Sequence, residues 1–483
     1  MCLVTYLPMA IARKIAYNVI FNVITKILST ILALVGIGFI TRYLGTQGFG
    51  DYSTVLAFFA FFGSIADLGL YTITAREISR PGADEKKILG NAFSLRLASS
   101  IALFIITPLL IFFLPYSHDV KLGIFIAAAS FVFSSTYMVL NGVFQKNLAM
   151  DKVAAAEVTG KLIQIGIIIL AVNNDLGFTT IILSILFSMM FNFFTVLFLV
   201  NKYIPLKLQF DFVYWKKFLK ESMPLGISVI VIFVYFKMDT ILLSILKTNA
   251  EVGIYNAAYK VIENISYFPA MIVGLIFPMF SRHVFSDKKQ FTYLANETLR
   301  VFMILIVPIV IGTLFLSSGI IHLIGGAAFA QSANTLRILI FALAFIFFGG
   351  LFNNIMIASN HQKKMLWAFV ACAIFNVVSN IIFIPLFSYT ASAIISTLTE
   401  FFVAFAGLIL TIKYVGYTPS IQKMPRILIS GFAMAAFLYI FSAQSFFLLA
   451  ITSALVYIAF LWITRTITIK ELSSIFAAKK DYD

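Results

Sequence analysis

The chain has 483 residues, of which 61% are hydrophobic and only 11% charged. An ordinary soluble domain carries about 25% charged residues, so this surface cannot be clothed for water. The 53 Phe exclude a disordered chain, two cysteines (Cys2 and Cys372) exclude a disulfide scaffold, and the net charge of +15 has no soluble domain to present it to nucleic acid. A multi-span membrane protein remains. The bilayer core offers the backbone no water, so only helices or closed barrels span it. The apolar runs here are continuous and about 20 residues long, which is the helix length and not the alternation of a barrel strand.

In chain order the runs predict fourteen transmembrane helices: 15–41, 52–76, 90–114, 121–145, 153–172, 177–200, 222–246, 252–280, 297–322, 333–358, 364–386, 389–414, 425–442 and 446–466. The breaks at Asn173-Asn174-Asp175, Phe387-Ser388-Tyr389 and Ala443-Gln444-Ser445 read as tight turns. The first span is too long for a signal peptide and has no small-residue cleavage site behind it. It reads as uncleaved, with Met1 and Met9 both available as starts.

Charge gives the orientation. With both termini cytoplasmic, 27 of the 35 Lys and Arg fall on inner segments and the adjoining helix ends, four in outer turns (Arg42, Lys121, Lys247, Arg337) and four deeper inside spans. This is the asymmetry of the positive-inside rule.

The chain also repeats itself. Gly48-Phe49-Gly50-Asp51-Tyr52 follows helix 1, and Glu251-Val252-Gly253-Ile254-Tyr255 follows helix 7. Ser79-Arg80 pairs with Ser281-Arg282, Leu95-Arg96 with Leu299-Arg300, and Asn141 with Asn353. The period contains six spans, an even number, so the halves share one topology. The expected fold is all-α integral membrane: an N-lobe at 1–203, an interlobe linker at 204–221, a C-lobe at 222–416, two extra helices at 417–468 and a tail at 469–483. The linker carries Phe210, Val213, Tyr214 and Phe218 beside Lys216, Lys217 and Lys220. It reads either as an interfacial amphipathic helix or as a solvated connection.

Nine charged residues fall inside spans: Lys26, Asp67, Glu157, Lys161, Lys237, Asp239, Lys260, Glu263 and Glu400. A charge at the bilayer centre costs about 2.5–3.5 kcal/mol on the insertion scale, so each must meet a partner or a wet cavity. Glu157 and Lys161 are spaced i,i+4 and Lys260 and Glu263 i,i+3, spacings at which helical side chains neutralise each other. Lys237 and Asp239 point apart. Asn18, Asn22, Asn256, Asn264, Asn376 and Asn380 add amides. Lysines bind phosphate as point charges and amides bind hydroxyls, a mixture suited to an anionic sugar-bearing lipid. The same charges would also serve to hold the halves together. Pro108, Pro269, Pro278 and Pro308 mark expected helix breaks or kinks. There is no P-loop and no His or Cys spacing for a metal, and no outer loop is long enough for a catalytic domain.

Arg42-Tyr43-Leu44-Gly45, Gly48-Phe49-Gly50-Asp51-Tyr52, Asp67-Leu68-Gly69-Leu70 and Arg76-Glu77-Ile78 resemble the N-terminal signature of Wzx-type polysaccharide flippases. Asp239-Thr240-Ile241-Leu242-Leu243 and Val252-Gly253-Ile254-Tyr255-Asn256-Ala257-Ala258-Tyr259-Lys260 resemble the start of their second lobe. These proteins belong to the multidrug/oligosaccharidyl-lipid/polysaccharide (MOP) exporter superfamily, and the resemblance runs over most of the chain. It implies a transporter, not an enzyme. By alternating access it would move a polyprenyl-(pyro)phosphate-linked oligosaccharide to the outer leaflet of a prokaryotic cell membrane, for cell-surface polysaccharide biosynthesis. Carried onto this sequence, the substrate-binding cations are Lys26, Arg42, Lys237 and Lys260, and the ion-coupling or gating acids are Asp67, Asp239, Glu263 and Glu400. No cofactor or metal is implied beyond an H+ or Na+ gradient. The implied partners are the lipid-linked oligosaccharide, membrane lipids and a glycan polymerase or assembly protein, acting with a functional monomer. A multidrug or cation antiporter and a lipid II flippase share the fold and remain alternatives.

Overall fold

The computed structural model describes residues 9–67, 69–80 and 82–466, and all regular structure among them is helical. Cys2 and the tail at 469–483 lie outside the described residues. By their contacts the residues divide into two units, Met1–Asn256 and Ala257–Asp483.

The first unit opens with α1 (Met9–Asp67), which bends at Gly45 (φ 66°, ψ −171°). That conformation costs a glycine little, so the outer turn expected around 42–51 shrinks to one residue. α2 (Leu70–Ile78) follows Gly69, which is left-handed at φ 73°. The expected second span is therefore two helices set by a glycine. Then come α3 (Glu85–Phe112), α4 (His118–Lys146), α5 (Met150–Asn173) and α6 (Gly177–Val200). α3 runs through Pro108 without ending. Leu89, Phe93, Leu140, Phe144, Val153 and Val196 join α3 to α6 in one packed cluster.

α7 (Phe212–Leu246) begins ten residues before the expected span. Its first turns are the helical part of the linker, and they dock on the first unit. Phe218 is buried with Leu70, Ile73, Leu95 and Val139, and Tyr214 stacks on Phe218. Phe210, Phe212 and Val213 of the same segment stay exposed. α8 (Asn249–Ile265) crosses from the first unit into the second.

In the second unit the expected eighth span is again broken, at Ser266, between α8 and α9 (Tyr267–Ser286). The break precedes Pro269. Pro278 lies inside α9, and Pro308 inside α10 (Lys288–Gly325). α11 (Ser332–Ala358) and α12 (Gln362–Val415) follow, and α12 bends at Ser388 (φ 52°, ψ −139°). α13 (Met424–Ile440) and α14 (Phe446–Ile463) pack on α10 through Val307, Ile427, Leu449 and Tyr457. The Tyr457 hydroxyl donates to Ile304 O at 3.0 Å.

Among the described residues, eleven helical segments are long and apolar enough to cross a membrane, α8 and α9 together forming one of them. Two of these, α1 and α12, hold a crossing on each side of a bend, and the 17-residue α13 brings the count to fourteen. Many large apolar side chains stay outside the core, such as Ile105 (69% exposed) and Phe432 (73%). Lipid tails solvate such groups, so packing and buried hydrogen bonds hold these helices together.

Candidate functional site

Within the first unit the two repeat-related motifs meet each other. A Cβ on Gly50 would stand 1.7 Å from Asn249 O, and one on Gly253 would stand 2.0 Å from Thr46 O. Each glycine thus admits the backbone of the other motif. Asn249 Nδ2 donates to Asp51 Oδ1 at 2.6 Å across this seam. Next to it, Asp239 of α7 is buried and accepts from Tyr255 Oη at 3.0 Å. The Thr240 hydroxyl donates to Asn256 Oδ1 at 3.2 Å.

A second polar group gathers inside the same unit, from α1, α2, α4, α5 and α6. The cation that acts on Glu157 is Lys26 of α1. Glu157 in turn lies within electrostatic range of the Tyr71 and Tyr137 hydroxyls. Tyr71 donates to Gln145 Oε1 at 2.9 Å, and the Tyr137 hydroxyl reaches the Asn192 amide. Asn192 presses so closely on α5 that a Cβ on Gly160 would lie 2.4 Å from its Oδ1. Lys161 donates to Gln164 Oε1 at 2.9 Å. Lys26 and Glu157 are both exposed on this wall, whereas Tyr137 is buried at 6% exposure. One cation, one anion and a ring of phenols and amides can receive a phosphate and sugar hydroxyls together.

The second unit carries two polar groups of its own. Lys260 Nζ meets Glu263 Oε2 at 2.7 Å, both half-buried on α8, and Asn264 caps Lys260 O. Between the two legs of α12, Asn376 Nδ2 donates to Thr399 Oγ1 at 3.2 Å, and Asn380 Nδ2 reaches Asn376 O at 2.9 Å. Glu400 is buried at 7% exposure and acts on the Cys372 thiol. Buried oxygens from three side-chain types suit a small hard cation or a held proton.

The predicted site residues thus separate. Lys26 has Glu157 before it. Lys260 and Glu263 pair with each other, and Asp239 has Tyr255. Lys237 is half-buried on α7, two residues before Asp239. Arg42 is exposed beside Tyr43, whose hydroxyl donates to Asp175 Oδ1 at 2.6 Å. Glu400 is buried on the second leg of α12, next to Thr399 in sequence and within electrostatic range of Cys372. Asp67 ends α1, and its side chain lies outside the described residues. Sequence reasoning had assigned Glu157 to Lys161 by spacing and passed over Tyr71, Tyr137 and Asn192. A polar residue every few turns on otherwise apolar spans was the available signal.

Residues 15–284, more than half of the chain, match the family described as polysaccharide biosynthesis protein. A probable low-salt glycan biosynthesis flippase, Agl15 of Haloferax volcanii, is 23% identical over 371 residues, covering 76% of this chain and 77% of that one. Among solved structures, the lipid II flippase MurJ in an inward closed conformation overlays with a TM-score of 0.74 at 18% identity, over 95% of this chain and 99% of that chain. An inward-facing multidrug resistance MATE family transporter of the MOP superfamily overlays with a TM-score of 0.69 at 13% identity, over 82% and 98%. The bent glycine motifs, the repeated six-span halves and these matches agree: the chain belongs to the polysaccharide biosynthesis protein family and has the fold of the MOP superfamily.

Proposed function

We propose that this MOP-superfamily chain is a flippase that carries a polyprenyl-(pyro)phosphate-linked oligosaccharide from the cytoplasmic to the outer leaflet. The match over residues 15–284 to a polysaccharide biosynthesis family carries this reading. The glycan flippase of Haloferax volcanii supports it, as does the chemistry of the first unit's polar wall. In this reading Lys26 takes the phosphate, with Arg42, Lys237 and Lys260 as further cations. Tyr71, Tyr137 and Asn192 take hydroxyls, and the lipid tail stays in the bilayer. The Gly50–Gly253 seam acts as the outer gate of an alternating-access cycle. Glu400, with Asn376, Asn380 and Thr399, binds a coupling H+ or Na+, and Asp67, Asp239 and Glu263 serve gating. The protein works as a monomer in a prokaryotic cell membrane and hands its product to a glycan polymerase or assembly partner.

The test is leaflet translocation in proteoliposomes of a fluorescent polyprenyl-phosphate-linked oligosaccharide, with and without an ion gradient. Wild type should move it. Lys26→Ala and Glu157→Gln should each slow movement at least tenfold, since each loses a charge-assisted contact. Gly253→Ala should stop the cycle at the seam. Export of a cationic dye with no movement of the lipid-linked sugar would replace this reading with the antiporter. Selective movement of lipid II would replace it with the other flippase.

A further inference from the structure

The start of α7 is pinned at both ends to one edge of the first unit. Asp211 meets Lys87, in the first turn of α3, at 3.2 Å, and Glu221 meets Arg76, in the last turn of α2, at 2.7 Å. Only a short connection separates the end of α2 from the start of α3, so both anchors lie on the same side. Residues 211–221 therefore run along that edge rather than across the membrane. The edge is that of the hydrocarbon core. From Asn91, which holds Asp211 N, to its end at Phe112, α3 rises about 31 Å, against about 30 Å for the core.

The helix that runs there has two faces. Tyr214, Phe218 and Ser222 turn to the protein, with Phe218 and Ser222 buried. Val213, Lys216, Lys217 and Lys220, spaced i, i+3, i+4 and i+7, share the other face and are exposed. Beside them the rings of Phe210 and Phe212 lie against the Trp215 indole, at 5.9 and 5.2 Å between centres. Phe212 is 72% and Val213 83% exposed. An apolar cluster so placed suits the headgroup and acyl boundary of a bilayer better than water. The lysines have no partner within the protein. Asp211 and Glu221 are engaged by Lys87 and Arg76, and Lys207, Lys216, Lys217 and Lys220 have no carboxylate partner among the described residues.

We propose that this outward face, from Phe210 to Lys220, is a binding surface for anionic lipid. Phe210, Phe212 and Val213 enter the top of the acyl layer, and Lys216, Lys217 and Lys220 take the headgroup charge. Apolar insertion and attraction of lysines to anionic lipid reinforce each other in such a surface, and together they press the start of α7 onto α2, α3 and α4. The surface lies wholly in the first unit and does not depend on the identity of the transported substrate.

Bromine quenching of tryptophan tests this in the full chain. Trp367→Phe and Trp462→Phe leave Trp215 as the single tryptophan, and both replaced side chains are exposed, so the fold stands. The protein is reconstituted in an equimolar mixture of phosphatidylglycerol and phosphatidylcholine, with bromines near the top of the acyl chains of one lipid or of the other. Brominated phosphatidylglycerol should quench Trp215 at least about twofold more than brominated phosphatidylcholine. Lys216→Gln, Lys217→Gln and Lys220→Gln together should bring the two lipids level, while both still quench. Phe212→Ser with Val213→Ser should weaken quenching by both lipids and raise quenching by acrylamide from the water. Equal quenching by the two lipids before any lysine is changed overturns the proposal, as does a preference that survives the triple variant. Quenching by acrylamide with none from either lipid also overturns it, and would assign the face to a soluble protein partner.

Discussion

In each six-span half the segment that follows the sixth span turns back to the start of the third, and the two halves secure it differently. In the first, residues 207–211 lie along α3. Asp211 N donates to Asn91 Oδ1 at 2.9 Å, Gln209 N donates to Ser94 Oγ at 3.0 Å, and a Cβ on Gly90 would stand 2.4 Å from Lys207 O. In the second, residues 416–423 are held to α10 through the side chain of Asn296. The offset that matches Leu95-Arg96 to Leu299-Arg300 puts Leu294 opposite Gly90. A glycine lets backbone lie on helix, whereas a leucine holds it off at side-chain length. The first half therefore has a closed seam at this point, and the second has an open cavity beside it.

The largest expected effect comes from making the first unit resemble the second. Gly90→Leu drives a side chain into the Lys207 carbonyl, and overpacking of this kind costs about 1–3 kcal/mol or more. The linker should detach, which would appear as rapid tryptic cleavage at Lys207 with α3 to α6 still protected. A linker as resistant as in wild type would mean that Gly90 is not what seats it.

The repeat-related arginines sharpen the comparison. Arg96 is 1% exposed and donates from Nε to Ser135 O at 3.2 Å, which ties α3 to α4. Arg300 instead donates from Nη2 to Thr466 O, beyond the end of α14. Losing a hydrogen bond from a charged group costs about 1.5–3 kcal/mol. Arg96→Ala should lower the melting temperature of the whole protein. Arg300→Ala should raise amide exchange mainly in α13 and α14. Identical exchange maps for the two variants would dissolve the distinction.

A smaller difference is expected between the two asparagines. Asn91 is fully buried and Asn296 only half so. Asn91→Ala strands buried partners at about 1–3 kcal/mol, against about 0.5–1.5 kcal/mol for Asn296→Ala. Denaturant titration of the two variants in one detergent checks the order.

The smallest effect is one of pH. Asp211 caps α7, accepting from Tyr214 N at 3.0 Å. That hydrogen bond, and then Lys87 at 3.2 Å, hold its carboxyl below the ordinary value of 3.8. A depressed carboxylate stabilises the fold above its ordinary pKa and loses that contribution as pH falls through the folded value. Amide exchange at residues 212–215 should therefore rise only below about pH 4, and Asp211→Asn should remove the rise. The first turn of α13 follows Lys423, whose side chain makes no cap, so Asp211→Asn should leave its exchange unchanged. A rise already present between pH 7 and 5 would point to another group.

Much of the fold was legible from local signals. Apolar run length marked the crossings, because the bilayer imposes that length on each helix separately. Gly50 and Gly253 were visible as repeat partners, but not as each other's contact. The pairing of Lys260 with Glu263 was readable, since both lie on one helix at i,i+3. The pairing of Glu157 was not. Its spacing to Lys161 pointed along α5, while Lys26 approaches from α1, and spacing carries no information about a neighbouring helix. The docking of the linker was not readable for the same reason: its aromatic face suited a membrane surface as well as α3 and α4.

By itself, then, the sequence determined an all-helical membrane protein, the number of crossings and the doubled six-span plan. Each follows from the cost of unpaired backbone in lipid and from the order of residues along one chain. Only the tertiary structure decided which charges meet, where the two glycine motifs close on each other, and that equivalent helix starts form a joint in one unit and border a cavity in the other. Those outcomes depend on distances between helices, which are fixed by side-chain volume and hydrogen-bond geometry at contacts far apart in the chain.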